Sequence, residues 1–65
     1  MKTEIQNTIE EAKKIMKRHN LQFATIWETS SRKTTMYGFN FENVEVGFSE
    51  KKDGVKRTAI QIIKA

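Results

Sequence analysis

The chain has 65 residues, with neither cysteine nor proline, and sets 12 Lys and Arg against 8 Asp and Glu for a net charge of +4 and a pI near 9.6. A fold of this length is one domain, residues 1–65, and buries only about 60% of the surface its unfolded chain exposes, which argues against a deep catalytic cleft. Without thiols or a His, Asp and Glu cluster of metal-ligand type, disulfides and structural zinc are excluded as staples, leaving dimerisation.

The chain starts with the polar segment Met1-Lys2-Thr3-Glu4, with no apolar run of the signal-peptide type. No stretch approaches the roughly 18 apolar residues of a membrane span, so the expectation is a soluble, cytoplasmic protein. Thr3-Glu4-Ile5-Gln6 reads as a capping box that opens a helix. Ile5, Ile9, Ala12 and Met16 then fall on one stripe, with Ile15 and His19 at its margins, while Glu10, Glu11, Lys14, Lys17 and Arg18 face water. Asn20 suits the left-handed position past the helix end, with Leu21 packing back on Met16.

Four strands are expected next, at about residues 22–29, 35–41, 44–50 and 55–63, the first two joined by the polar run Thr29-Ser30-Ser31-Arg32-Lys33-Thr34. In the first strand Phe23, Thr25 and Trp27 share one face and Ala24, Ile26 and Glu28 the other. Gly54 suits a type I turn with a glycine bulge, which pairs Lys51 with Val55, Phe48 with Thr58 and Val46 with Ile60. A two-residue turn at Glu42-Asn43 pairs Phe39 with Val46 and Tyr37 with Phe48. Both registers put the same apolar residues on one face, and short connections favour antiparallel neighbours. The expected fold class is α+β: one N-terminal helix on a four-stranded antiparallel meander (αββββ). The helix is expected to cover Phe23, Trp27, Tyr37, Phe39, Phe41, Val44, Val46, Phe48, Ile60 and Ile62.

One stretch supports a different reading. Ser49-Glu50-Lys51-Lys52-Asp53-Gly54-Val55-Lys56-Arg57-Thr58-Ala59 resembles the start of the last helix of a double-stranded RNA-binding domain, where a Ser-Lys-Lys run and paired alanines meet phosphates. Val55, Ala59, Ile62 and Ile63 would form its apolar stripe. The chain departs from that family at Asp53-Gly54-Val55, which inserts a residue and a glycine in the basic helix, and at Ser30-Ser31-Arg32-Lys33, which stands where the Gly-Pro-X-His loop belongs. The hairpin explains more residues.

Catalysis requires titratable groups converging in a pocket, and this chain offers one histidine, at a helix end, and scattered carboxylates. The expectation is therefore a protein that is not an enzyme, with no cofactor and no metal. In an antiparallel sheet the first and third strand connections emerge at one end, so Arg32 and Lys33 are expected beside Lys51, Lys52, Lys56 and Arg57, partly offset by Glu28, Glu50 and Asp53. Lys13, Lys14, Lys17, Arg18 and Lys64 make a second basic group at the other end. The remaining sheet face, expected to carry Ala24, Ile26, Met36, Gly38, Asn40, Gly47, Ser49, Arg57, Ala59 and Ile63, lacks the aromatics of a base-stacking platform.

The leading reading is a basic binding module, a homodimer, in which Arg32, Lys33, Lys51, Lys52 and Arg57 contact nucleic acid phosphates with little sequence preference. The sequence does not distinguish DNA from RNA as the partner. Ile26, Met36, Ala59 and Ile63 are the expected partner or dimer face. The alternative is a phage- or plasmid-type regulator or inhibitor that binds a host protein through the open sheet face or an edge strand.

Overall fold

The computed structural model describes residues 3–65 as one α-helix followed by four antiparallel strands in a single sheet. Helix α1, Glu4–His19, is closed at both ends by the residues its sequence designates. Thr3 Oγ1 accepts from the Gln6 amide at 3.2 Å, and the Thr3 amide donates to Gln6 Oε1 at 2.9 Å. Asn20 takes the left-handed conformation (φ 54°), and the Leu21 amide reaches back to the Met16 carbonyl at 2.8 Å. Glu4 lies in the first turn and Lys17, Arg18 and His19 in the last, each with the sign the helix dipole favours.

The strands are β1 (Phe23–Ser30), β2 (Thr35–Asn40), β3 (Ser49–Lys52) and β4 (Val55–Lys64), so the 49–64 stretch is a hairpin and its helical reading is excluded. The expected helix followed by four antiparallel strands is therefore present. The lateral order differs from a sequential meander: it is β2-β1-β4-β3. β1 pairs β2 on one side and β4 on the other, which leaves β2 and β3 as the outer edges and makes the β2–β3 connection a crossing rather than the hairpin expected at Glu42-Asn43. Thr25 ties that crossing down, donating its buried hydroxyl to the Glu42 carbonyl at 2.7 Å.

The β3–β4 hairpin is slipped by one residue from the expected register. Lys52 faces Val55 across a two-residue turn in which Asp53 (φ 54°) and Gly54 (φ 78°) are both left-handed, the geometry of a type I′ turn. The glycine bulge occurs instead at Gly47 (φ 95°), where Gly47 and Phe48 together oppose Ala59: the Gly47 amide donates to the Ala59 carbonyl and the Ala59 amide to the Phe48 carbonyl. A second irregularity lies in the β1–β4 ladder, where the pairing passes from Ile26 with Gln61 to Trp27 with Ala59 and skips Ile60.

These two slips, together with the unbroken β1–β2 ladder that sets Ile26 opposite Phe39 and Trp27 opposite Gly38, decide which side chains are core. The helix covers Ala24, Ile26 and Ile63, which form the buried cluster with Ala12 and Met16, and Ile9, Leu21, Phe39, Phe41 and Ile60 pack around it. Trp27, expected beneath the helix, points the other way with Phe48, while Ile26 and Ile63, expected on an open partner face, are in the core. The Cα radius of gyration, 12.1 Å, exceeds the roughly 10.7 Å of a compact 65-residue chain, consistent with a two-layer molecule 15 Å thick whose sheet lacks a second helical cover. No helix among the described residues is long and apolar enough to cross a membrane.

Candidate nucleic-acid interface

The two tight turns of the sheet, 31–34 and 53–54, emerge at one end, and because β1 and β4 are neighbours their tips lie side by side. Ser31, Arg32, Lys33, Asp53, Gly54 and Val55 line a single open hollow between them, of about 510 Å³. The β1–β2 turn is held by the Ser31 amide on the Thr34 carbonyl at 3.0 Å and by a Ser31 to Thr34 hydroxyl contact at 2.9 Å, which present Arg32 and Lys33 to solvent. On the neighbouring hairpin Lys51 faces Lys56 directly across the ladder, and Lys52 faces Val55. Like charges placed opposite one another in a sheet are unfavourable, and a bound anion relieves the repulsion.

The acidic residues expected to dilute this rim are engaged elsewhere. Glu28 faces Tyr37 across the β1–β2 ladder and hydrogen-bonds its hydroxyl, and Glu50 pairs with Arg57. Asp53 is the acid left at the tips. Arg32, Lys33, Lys51, Lys52 and Lys56 are all exposed, and none forms an ion pair among the described residues. Of the residues assigned to phosphate contact from sequence, Arg32, Lys33, Lys51 and Lys52 stand exposed at the turn end of the sheet, and the fifth, Arg57, does not.

Arg57 lies on the open sheet face. Its guanidinium carbon sits 3.8 Å from the centroid of the Trp27 ring, a cation-π contact worth about 0.5–2 kcal/mol depending on desolvation. Its Nε is shielded from solvent without an aligned hydrogen-bond acceptor among the described residues, Glu50 Oε1 being 3.4 Å away in ion-pair contact only. The Trp27 indole N–H donates to Asn40 Oδ1 at 2.9 Å, and the Phe48 ring meets the indole edge-on at 6.3 Å and 84°. Trp27 is thus almost covered, 5% exposed, whereas Phe48 is 48% exposed. The open face therefore does carry aromatics, contrary to the expectation from alternation. The Asp-Gly pair at 53–54 signals part of this, since a two-residue loop fixes the β3–β4 register that sends Phe48 to the side of Arg57 and Ala59, whereas Trp27 joins them only through the long-range β1–β4 pairing.

Of the expected partner-face residues, Met36 alone is exposed, at 65%; Ala59 is buried beneath the open face beside Trp27, and Ile26 and Ile63 are core. Lys13, Lys17 and Lys64 line a separate hollow of about 420 Å³ at the far end of the molecule, with Met16, Leu21 and Gln22. Their charges complement the negative end of α1, which accounts for that basic group structurally. Comparison with models of known protein families, with characterised proteins and with solved structures finds no match to this chain.

Proposed function

We propose that this protein is a non-enzymatic module that binds nucleic acid through its phosphates, with little sequence preference. The observation that carries the reading is that two basic hairpin ends adjoin at one end of the sheet: Arg32 and Lys33 line the hollow between the tips, and Lys51, Lys52 and Lys56 stand exposed on the adjoining ladder, with Glu28 and Glu50 occupied elsewhere. Long flexible cations on turn tips follow a phosphate backbone and release its counterions, and they carry no base-reading geometry of their own.

The test is a salt titration with the Lys51→Glu, Lys52→Glu double variant. Binding to generic oligonucleotides should weaken about equally across sequences, and the slope of log affinity against log salt should flatten by about 0.9 for each phosphate that the variant no longer neutralises on duplex DNA. The fold is expected to survive, because reversal at Lys51 sets opposite charges across the ladder from Lys56. Unchanged affinity and slope in the folded variant would refute the rim. Exposed Met36, Val46, Phe48 and Val55 favour a second reading, in which the open face docks on a host protein or on a second copy of the chain as a homodimer. Sedimentation of the protein alone, and with oligonucleotide, separates the two readings.

A further inference from the structure

We propose that the open sheet face beside the rim holds a subsite for one unpaired nucleobase, so that the preferred ligand is a single strand; this rests on the phosphate-binding reading of the rim. The subsite is the shallow hollow of about 180 Å³ lined by Trp27, Thr29, Gly38, Phe39, Asn40 and Arg57. Its size suits a single ring system, since pockets for drug-sized ligands start at about 300 Å³.

Each wall has a chemical reason to be there. The Arg57 guanidinium already rests on Trp27, 3.8 Å from the ring centroid, and the Arg57 side chain remains 37% exposed. A guanidinium plane backed by an indole is a stacking surface for a base, adding cation-π attraction to dispersion, and it is blind to base identity. Gly38, directly across the ladder from Trp27, keeps the adjacent floor open: a Cβ built on it meets nothing within 4 Å. Asn40 uses Oδ1 to accept from the Trp27 indole, which leaves the two N–H donors of Nδ2 on the other side of the amide for a base edge. Phe48, half-exposed and edge-on to Trp27, extends the apolar surface toward β3.

The hollow is also correctly placed. Arg57 faces Thr29, one ladder position from the Ser30 and Lys56 pair at the rim, and Trp27 stands two residues further back. At about 3.3 Å per strand residue, the rim pair and the hollow are roughly 3–10 Å apart along the strands. A phosphate on Lys52, which shares the open face with Arg57, and a base on Arg57 can then belong to neighbouring nucleotides of one strand. A paired base is shut out, because its faces are buried in the duplex stack.

The experiment compares a thymidine octamer with an abasic octamer of identical phosphate count, against the wild-type protein and Gly38→Val. Gly38 lies within β2 and has no positive φ, so a β-branched residue suits its backbone, and the added methyls intrude into the hollow. The wild type should bind the thymidine octamer at least about fivefold tighter than the abasic one, the lower end of stacking one base. Gly38→Val should bring the thymidine octamer down to the abasic affinity, leave abasic binding unchanged, and melt no lower than the wild type. Equal binding of both octamers by the wild type, or full discrimination retained in Gly38→Val, overturns the subsite and leaves the rim standing. Failure of both octamers to bind at low salt overturns the rim reading itself, and the subsite with it.

Discussion

Tyr37 shows how a single side chain couples the sheet to pH. Partial burial against the fold pushes its phenol above the ordinary 10.0, and Glu28 pushes it further, both by its charge and by accepting the phenolic hydrogen; Glu4 at the helix start adds a smaller push. A raised phenol in the folded state means that the folded chain holds this proton where the unfolded chain has released it. Stability from this contact is therefore present below pH 10.0 and fades as pH climbs through the folded value. Tyr37→Phe cannot ionise, so its thermal midpoint should fall less steeply than that of the wild type between about pH 9 and pH 11, a comparison in which the lysine titrations cancel. Parallel curves would show that the phenol is not coupled to folding.

At the scale of elements, the ends of α1 and the location of the second hairpin were legible in the sequence because they are local. Thr3 with Gln6, Asn20 with Leu21, and Asp53-Gly54 each satisfy backbone groups only a few residues away. The faces of the strands were not legible. β1 is central and packed on both sides, so Ala24, Thr25, Ile26 and Trp27 are buried in succession, and period-two alternation carries no information about which pair meets the helix. The bulges at Gly47 and Ile60 shift register by one residue each, which is enough to exchange faces. Gly47 also occupies the third position of a turn closed by the Phe48 amide on the Glu45 carbonyl at 3.1 Å, a place that needs a positive φ. Gly47→Val should therefore cost about 1–2 kcal/mol in urea unfolding, from backbone strain alone, since a Cβ there meets no neighbour within 4 Å. A midpoint equal to that of Gly38→Val would count against the strain.

Across the whole molecule, the basic rim was legible although the strand order was not. In any antiparallel sheet whose strands alternate in direction, the first and third connections leave at the same end whatever the lateral order, so Arg32 and Lys33 were bound to share an end with Lys51 and Lys52. The β2-β1-β4-β3 order adds adjacency, which only the long-range β1–β4 pairing decides and no local signal encodes. Because Asp53 is the acid remaining at those tips, Asp53→Asn is expected to tighten oligonucleotide binding at low salt while keeping the hairpin, Asn-Gly being the pair type I′ turns favour most. A loss of affinity in a folded Asp53→Asn variant would contradict that electrostatic account. The same order leaves two outer strands of opposite character. β3 carries Glu50, Lys51 and Lys52 in four residues, whereas β2, Thr35–Asn40, has no charge at all. Charged side chains on an edge discourage uncontrolled sheet extension, so β3 is protected against aggregation and β2 is the edge along which a further strand can be added. Lys51 and Lys52 thus guard β3 against edge-to-edge pairing independently of the phosphate-binding role proposed for them, and substitutions that neutralise them are expected to lower solubility, where reversal to Glu preserves the guard.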